Sequence, residues 1–315
     1  MQDNRGWLNS SQMKAGRLRG SRQVCLNNQT VPLPPHGDLM ANPQHVLVID
    51  LETRPDVAIL PVARDPAMLP KPIQNEIITL GFLLARIERE GEYERYRVRK
   101  LGAASITHYS ERELLARFWQ MIDKQQPRLV TWNGRGFDAA VLKQRSLIHG
   151  LSAHSWHRTN PRYGYDYRFE SNWHCDLMDV LGDFGASPRL GLDETARALG
   201  LPGKWNGQGA TVAEQAESGD FAAIDRYCEG DVLNTYVLYL RWAYFSTRSS
   251  ARAHNASIQN LLDYLDAGRD SHPHWGEFAE RWQVSDRPCP LFVSEPELEP
   301  GPQAPDMHLR SEDVV

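Results

Sequence analysis

Three short stretches of the sequence carry side chains whose types and spacing could do chemistry. Asp50-Leu-Glu52 follows the apolar run His45-Val-Leu-Val-Ile. In a strand, residues two apart share a face, so both carboxylates point the same way, ~6–7 Å apart along the chain. Adjacent anions raise each other's pKa and need solvation or a divalent cation between them. Alone, D-x-E is no more than a solvated strand end; the apolar run before it places the pair at a strand terminus beside a loop. Trp132-Asn-Gly-Arg-Gly-Phe-Asp138 reads as a strand, a tight glycine turn and a helix start with an acid at the junction. Taken singly, Asp138 is an N-cap and Asn133 a turn residue. Tyr227-Cys-Glu-Gly-Asp231 lies within a long helical stretch, where Tyr and Asp four apart share one face. Glu229 and Gly230 point elsewhere.

The elements that must position these residues follow from periodicity and capping. His45–Leu51 reads as a strand buried on both faces. A Pro-rich loop comes next, then two strand-like runs, 76–87 and 93–101, forming a hairpin around Gly91. Ser110-Glu-Arg-Glu113 is a capping box that opens a helix to about Lys124, with Leu114, Leu115, Phe118 and Met121 on one side. Residues 128–132 form another short strand, and a helix runs from Asp138 to Gly150. Two short helical segments surround 192–199 and 212–218. Asp220 caps a long helix to about Tyr244, and two shorter helices lie near 258–265 and 275–282. Strand pair, crossover, strand and flanking helices give an α/β domain with a mixed sheet.

The chain has 315 residues, 24% of them charged, with a formal net charge of −5. That balance argues against coating nucleic acid through bulk positive charge, but not against gripping a strand locally. Cys25, Cys175, Cys228 and Cys289 are scattered without a C-x-x-C pair, which fits a reducing, cytoplasmic compartment. No apolar run approaches the roughly 18 residues of a membrane span, and the start of the chain lacks a secretory h-region. Residues 1–43 read as a disordered lead, in which Met40 is a possible alternative start. Residues 44–290 read as one folded domain. Residues 291–315 read as a disordered acidic tail, with Glu295, Glu297, Glu299, Asp306, Glu312 and Asp313 against Arg310.

D-x-E in a strand, N-x-x-x-F-D at a strand-to-helix junction and Y-x-x-x-D in a late helix form a specific ordered pattern. It resembles the DEDD exonuclease superfamily, in the branch with tyrosine in its third motif. More closely, it is similar to free-standing bacterial proteins related to the proofreading domain of family B DNA polymerases. The resemblance spans 46–244 and includes Cys175-Asp-Leu-Met-Asp-Val-Leu181, Leu192-Asp-Glu, Leu199-Gly-Leu-Pro-Gly-Lys204 and Tyr227-Cys-Glu-Gly-Asp-Val-Leu-Asn-Thr235. It implies an RNase H-like fold, a mixed five-stranded sheet flanked by helices. It also implies a two-metal 3′–5′ exonuclease releasing nucleoside 5′-monophosphates. Four carboxylates can hold two Mg²⁺ (or Mn²⁺) ions about 4 Å apart. By resemblance, Asp50 bridges the ions, Glu52 and Asp231 complete the site of the nucleophile-activating ion, and Asp138 holds the second. Tyr227 positions the attacking water and helps to deprotonate it; with an ordinary pKa near 10 it is a poor base at neutral pH, so orientation is the firmer half of that role.

The same resemblance puts Leu51, Thr53, Asn133 and Phe137 beside the terminal nucleotides and lets Lys204 reach a phosphate. Phe137 reads equally well as core, and Lys204 as an exposed lysine near a helix end. Between 141 and 170, Lys143, Arg145, Arg158, Arg162 and Arg168 interleave with Trp156, Tyr163, Tyr165 and Tyr167, a composition suited to a single strand or to a solvated loop. His154, His157, His174 and Cys175 lack the paired spacing of a zinc site. Asp176 and Asp179 read as capping or pairing groups, and Cys175 and Cys228 as small buried residues. The expected substrate is the 3′ end of single-stranded DNA. The rivals are RNA, as in the RNase D and oligoribonuclease branches, and a non-catalytic binding module, whose signature would be a missing carboxylate.

Overall fold

A computed structural model describes residues 42–60, 69–159, 163–207, 209–284 and 289–294. All of them belong to one compact unit, Asn42–Val315. The expected lead up to residue 41, Met40 included, and the tail from residue 295 lie outside the described residues.

The sheet has five strands: β1 (His45–Pro55), β2 (Asn75–Glu90), β3 (Tyr93–Ser105), β4 (Arg128–Thr131) and β5 (His174–Asp176), in the order β3-β2-β1-β4-β5. β1–β2 and β2–β3 are antiparallel, whereas β1–β4 and β4–β5 are parallel. This is a mixed five-stranded sheet, as the resemblance implies. β1 runs four residues beyond the expected Leu51, so Asp50 and Glu52 lie inside the strand rather than at its end. A bulge between Glu52 and Thr53 re-aims the last residues of the strand.

Alternation along β1 divides the molecule. Val46 and Val48 face a core shared with α7 (Phe221–Phe245), α8 (Ala251–Gly268) and α9 (Pro273–Gln283). Leu47, Ile49 and Leu51 face α1 (Glu111–Gln125), α2 (Asp138–Ile148) and α3 (His154–Arg158). α4 (Leu177–Leu181), α5 (Leu192–Ala198) and α6 (Val212–Ser218) connect β5 to α7. Ser110 and Glu113 close the capping box of α1. α8 serves a purpose that periodicity alone does not reveal: Ser257, Asn260 and the Tyr264 hydroxyl accept hydrogen bonds from the β3 amides of Tyr96, Val98 and Leu101, which covers the free edge of the sheet. The packed region also outlasts residue 290, because Asn255 exchanges two hydrogen bonds with Val293 and Leu291 packs on the core.

The aromatic, basic stretch 141–170 is largely architecture. Arg145 is buried in ion pairs with Glu111 and Asp56, Trp156 and Tyr165 stack inside the α1-side core, and Lys143 and Arg168 pair with Asp166 and Asp179. Arg162 lies outside the described residues. No helix among the described residues is long and apolar enough to cross a membrane.

Candidate active site

Asp50 and Glu52 project from β1 toward α7, where helical spacing turns Tyr227, Cys228 and Asp231 back at them. The approach is close because Gly81 stands opposite Asp50 in the β1–β2 register. A Cβ on Gly81 would lie 2.8 Å from the Cys228 Sγ and 3.2 Å from the Cys228 carbonyl, so only glycine lets α7 reach the sheet here. The Cys228 thiol donates to the Asp50 carbonyl oxygen (3.3 Å) and to its Oδ2 (3.4 Å), fixing that carboxylate from behind.

Asp138 enters from the other side. It is the first residue of α2, with Phe137 in the N-cap position, so it does not cap the helix as its sequence context suggested. Its Oδ1 instead accepts the Leu51 amide at 3.0 Å, continuing the edge of β1 past the point where β4 ends. The turn before it is held by Asp176 at the end of β5. Its two carboxylate oxygens accept the amides of Asn133 and Arg135, both at 2.9 Å, and Asn133 adopts a left-handed conformation (φ 59°).

Lys204 belongs to the site rather than to the surface. Its Nζ donates to Asp231 Oδ2 at 2.6 Å and to the Tyr227 hydroxyl, with 30% of the side chain exposed. Two side chains hold its loop: Asp193 of α5 accepts the Lys204 amide at 2.7 Å, and Asn234 of α7 donates to the Gly203 carbonyl at 2.9 Å. Gly203 is left-handed (φ 64°), and a Cβ there would meet Asp193 Oδ1 at 2.3 Å. Two of the sequence blocks around 192–204 and 227–235 are therefore one device for placing an ammonium group. Glu229 does point away, as its helical position requires: it is buried against His274 and Trp275.

Of the expected nucleotide contacts, the Leu51 side chain is 4% exposed in the α1-side core and its amide is taken by Asp138, so it is a packing residue. Thr53, Asn133 and Phe137 are half-buried near the acids; Thr53 donates to Asn75 at 3.4 Å and Phe137 packs on the core. Cys228, Asp176, Asp193 and Asn234 have no site role that their sequence context predicts. Only an acid directly after a buried strand (Asp176) and a thiol one residue from the motif tyrosine could have signalled one.

The electrostatics follow from packing like charges in a confined space. Burial, then Asp231, Glu52 and Asp138, push the Asp50 carboxyl well above the usual range. Burial and Asp231 push Glu52 up to about 8, and burial pushes Asp138 up to about 7. Asp231 is also raised by burial, with Lys204 opposing. Burial would lower Lys204, but Asp231, Asp50 and Glu52 hold it above the ordinary lysine value. The Tyr227 hydroxyl is pushed up by burial and by Asp231, Glu52 and Asp50, so it stays protonated at neutral pH. The set fits hard divalent cations. Asp231 Oδ1 is buried with no hydrogen-bond partner, the remaining donors are carboxylate oxygens, and ligand atoms of Asp50, Glu52 and Cys228 lie within 4.8 Å of one another.

Residues 68–282 match the family described as a predicted 3′-5′ exonuclease related to the exonuclease domain of PolB. The match contains Asp138, Lys204, Tyr227 and Asp231, and starts after the β1 acids. No match is found among curated proteins. Among solved structures, the family B DNA polymerase from the hyperthermophilic archaeon Pyrobaculum calidifontis aligns at 15% identity over 70% of this chain and 29% of its own, with a TM-score of 0.43. E. coli Exonuclease I aligns in complexes with a 5cy-dT13 oligonucleotide (13% identity, 75% of this chain, 45% of that one, TM-score 0.39) and with a dA16 oligonucleotide (13%, 73%, 44%, 0.39). The chain thus spans less than half the length of these proteins. With about two thirds of its residues inside the family match, the chain belongs to the family of 3′-5′ exonucleases related to the exonuclease domain of PolB.

Proposed function

We propose that the protein removes nucleoside 5′-monophosphates from the 3′ ends of single-stranded DNA, with Asp50, Glu52, Asp138 and Asp231 holding two divalent cations, Mg²⁺ or Mn²⁺. The observation that carries this reading is the convergence of four carboxylates, a tyrosine and a lysine from β1, α2, α7 and the α5–α6 loop, with one carboxylate oxygen buried and unpartnered. When bound, the cations supply Lewis-acid activation of a water and neutralise charge on the leaving 3′-oxygen.

The chain's own groups supply position. β1 fixes Asp50 and Glu52, and the Cys228 thiol restrains Asp50 Oδ2. The Leu51 amide holds Asp138. Tyr227 keeps its proton, so it orients a water by hydrogen bonding and does not act as a base. Lys204 donates to the Tyr227 oxygen and the Tyr227 hydroxyl is hydrogen-bonded to the Asp231 carboxylate, so the tyrosine is held in a fixed orientation beside the acids. The Lys204 ammonium, held at Asp231 with 30% of its side chain exposed, would offer a single point charge to a phosphate oxygen of the substrate.

Kinship with the exonuclease domain of a DNA polymerase supports DNA as the substrate. The test is parallel digestion of 5′-labelled DNA and RNA oligomers of one sequence with Mg²⁺ and with Mn²⁺. The expected result is stepwise shortening of the DNA from its 3′ end. Faster shortening of the RNA would move the assignment to RNA, and no metal-dependent shortening of either would contradict it.

A further inference from the structure

A second feature of the molecule lies on the opposite face of the sheet from the carboxylates. Between α1 and β2–β3 runs a channel of about 360 Å³. Its floor is apolar, formed by Leu47, Ile49, Leu80, Leu114 and the half-exposed Phe82 and Leu84. Its rim is basic: Lys100, Arg117 and Lys124 line it, with Lys100 over the Phe82 ring (5.2 Å) and Arg117 over the Tyr109 ring (4.1 Å). Exposed Arg86 and Arg99 extend the cationic strip past His45, whose pKa both lower along with burial. No carboxylate among the described residues lines the channel.

An apolar floor within a ring of cations suits a ligand that combines aliphatic and acidic side chains. Residues 295–315 have that composition, with six acids against Arg310, and Leu298, Met307, Leu309, Val314 and Val315 among them. We propose that this channel is a docking groove for the chain's own acidic segment, residues 295–315. Reach is sufficient: Val293 and Ser294 are held at α8 and at the Tyr244 hydroxyl, α8 covers the edge of β3, and an extended chain of this length spans roughly 70 Å. A nucleic-acid strand is the weaker occupant. The floor is hydrocarbon at its deepest points, and strand alternation sends Asp50 and Glu52 to the other face, so a 3′ end held at the acids is not led over the channel.

The test uses the full chain at micromolar concentration and zero-length carboxyl-to-amine coupling read by mass spectrometry, on mixed isotope-labelled and unlabelled copies. The expected cross-links join Lys100 or Lys124 to Glu295, Glu297, Glu299 or Asp306 within one copy. They should fall at least fivefold when Leu298, Met307 and Leu309 are changed to Ser, or in high salt. Amide exchange in 98–104 and 114–125 should quicken in the same triple variant. Coupling of these acids mainly to other lysines, or exchange unmoved by the triple change, would overturn the proposal. A further arm adds a dT oligomer to the Asp50→Asn chain. If the oligomer slows exchange in 98–104 and 114–125, and K100E/K124E abolishes that protection, the groove belongs to nucleic acid and the proposal fails.

Discussion

At the scale of single residues, the site is a set of charges that the fold brings together against their own repulsion. Asp50 is the most crowded, with Asp231, Glu52 and Asp138 all disfavouring its ionised form. Asp50→Asn should therefore do two opposite things. Cleavage should drop at least a thousandfold, about 4 kcal/mol of transition-state stabilisation. The metal-free thermal midpoint at pH 8 should rise, because the repulsion is gone. Asp231→Asn should also abolish cleavage but without that gain, since it leaves the Lys204 ammonium without its 2.6 Å partner. Calorimetry of both variants beside the wild type checks the contrast. Tyr227→Phe should lose about 100-fold in kcat with metal binding intact; an unchanged rate would remove the hydroxyl from the reaction. Much of this is legible in the sequence, because acids two apart in a strand and a Tyr/Asp pair four apart in a helix have fixed facing. From its residues alone Lys204 reads as a surface group, and only the resemblance sets it at a phosphate, because the residues that turn it inward, Asp193 and Asn234, are 11 residues before it and 30 after it.

At the scale of elements, precision comes from contacts that periodicity does not encode. Gly81 reads as an ordinary residue within an apolar strand, yet it sets how close α7 comes to Asp50. Gly81→Ala should cost about 1–3 kcal/mol by chemical denaturation, since Cys228 must give way, and it should lower kcat by moving Asp231 away from β1. Asn234→Ala should lower kcat while leaving metal affinity near the wild-type value, because it frees the Gly203–Lys204 loop and no carboxylate; a metal titration beside steady-state rates separates the two. β5 escapes a reading by period because its three residues are too few, and it is recognisable only through the partners of Asp176. α8 is longer than its apolar stripe suggests, since its polar face is spent on capping the β3 edge. The stretch 141–170 misleads for the converse reason. Its cations and rings are those of a strand-binding loop, but long-range partners such as Glu111 and Asp56 draw Arg145 into the interior.

At the scale of the whole molecule, the carboxylate cluster should couple stability to pH and, through the proposed cations, to metal. Folded-state values near 7 for Asp138 and near 8 for Glu52 lie above those of the unfolded chain, so the folded form binds more protons between about pH 4 and pH 8. Metal-free protein should then be most stable at the acid end of that window and lose stability as pH rises through it, ~2–4 °C of midpoint for each kcal/mol in a domain of this size. Mg²⁺ or Mn²⁺ should restore the midpoint at pH 8 and do little at pH 5, where protons already occupy the carboxylates. The central claim is that these acids make a metal-dependent 3′–5′ exonuclease. Its most direct test is product analysis on a single-stranded DNA oligomer with Mg²⁺, for wild type and folded Asp50→Asn in parallel. The account predicts nucleoside 5′-monophosphates released one at a time from the 3′ end by the wild type alone. Equal release by the Asp50→Asn protein, or release that persists in excess chelator, would contradict it.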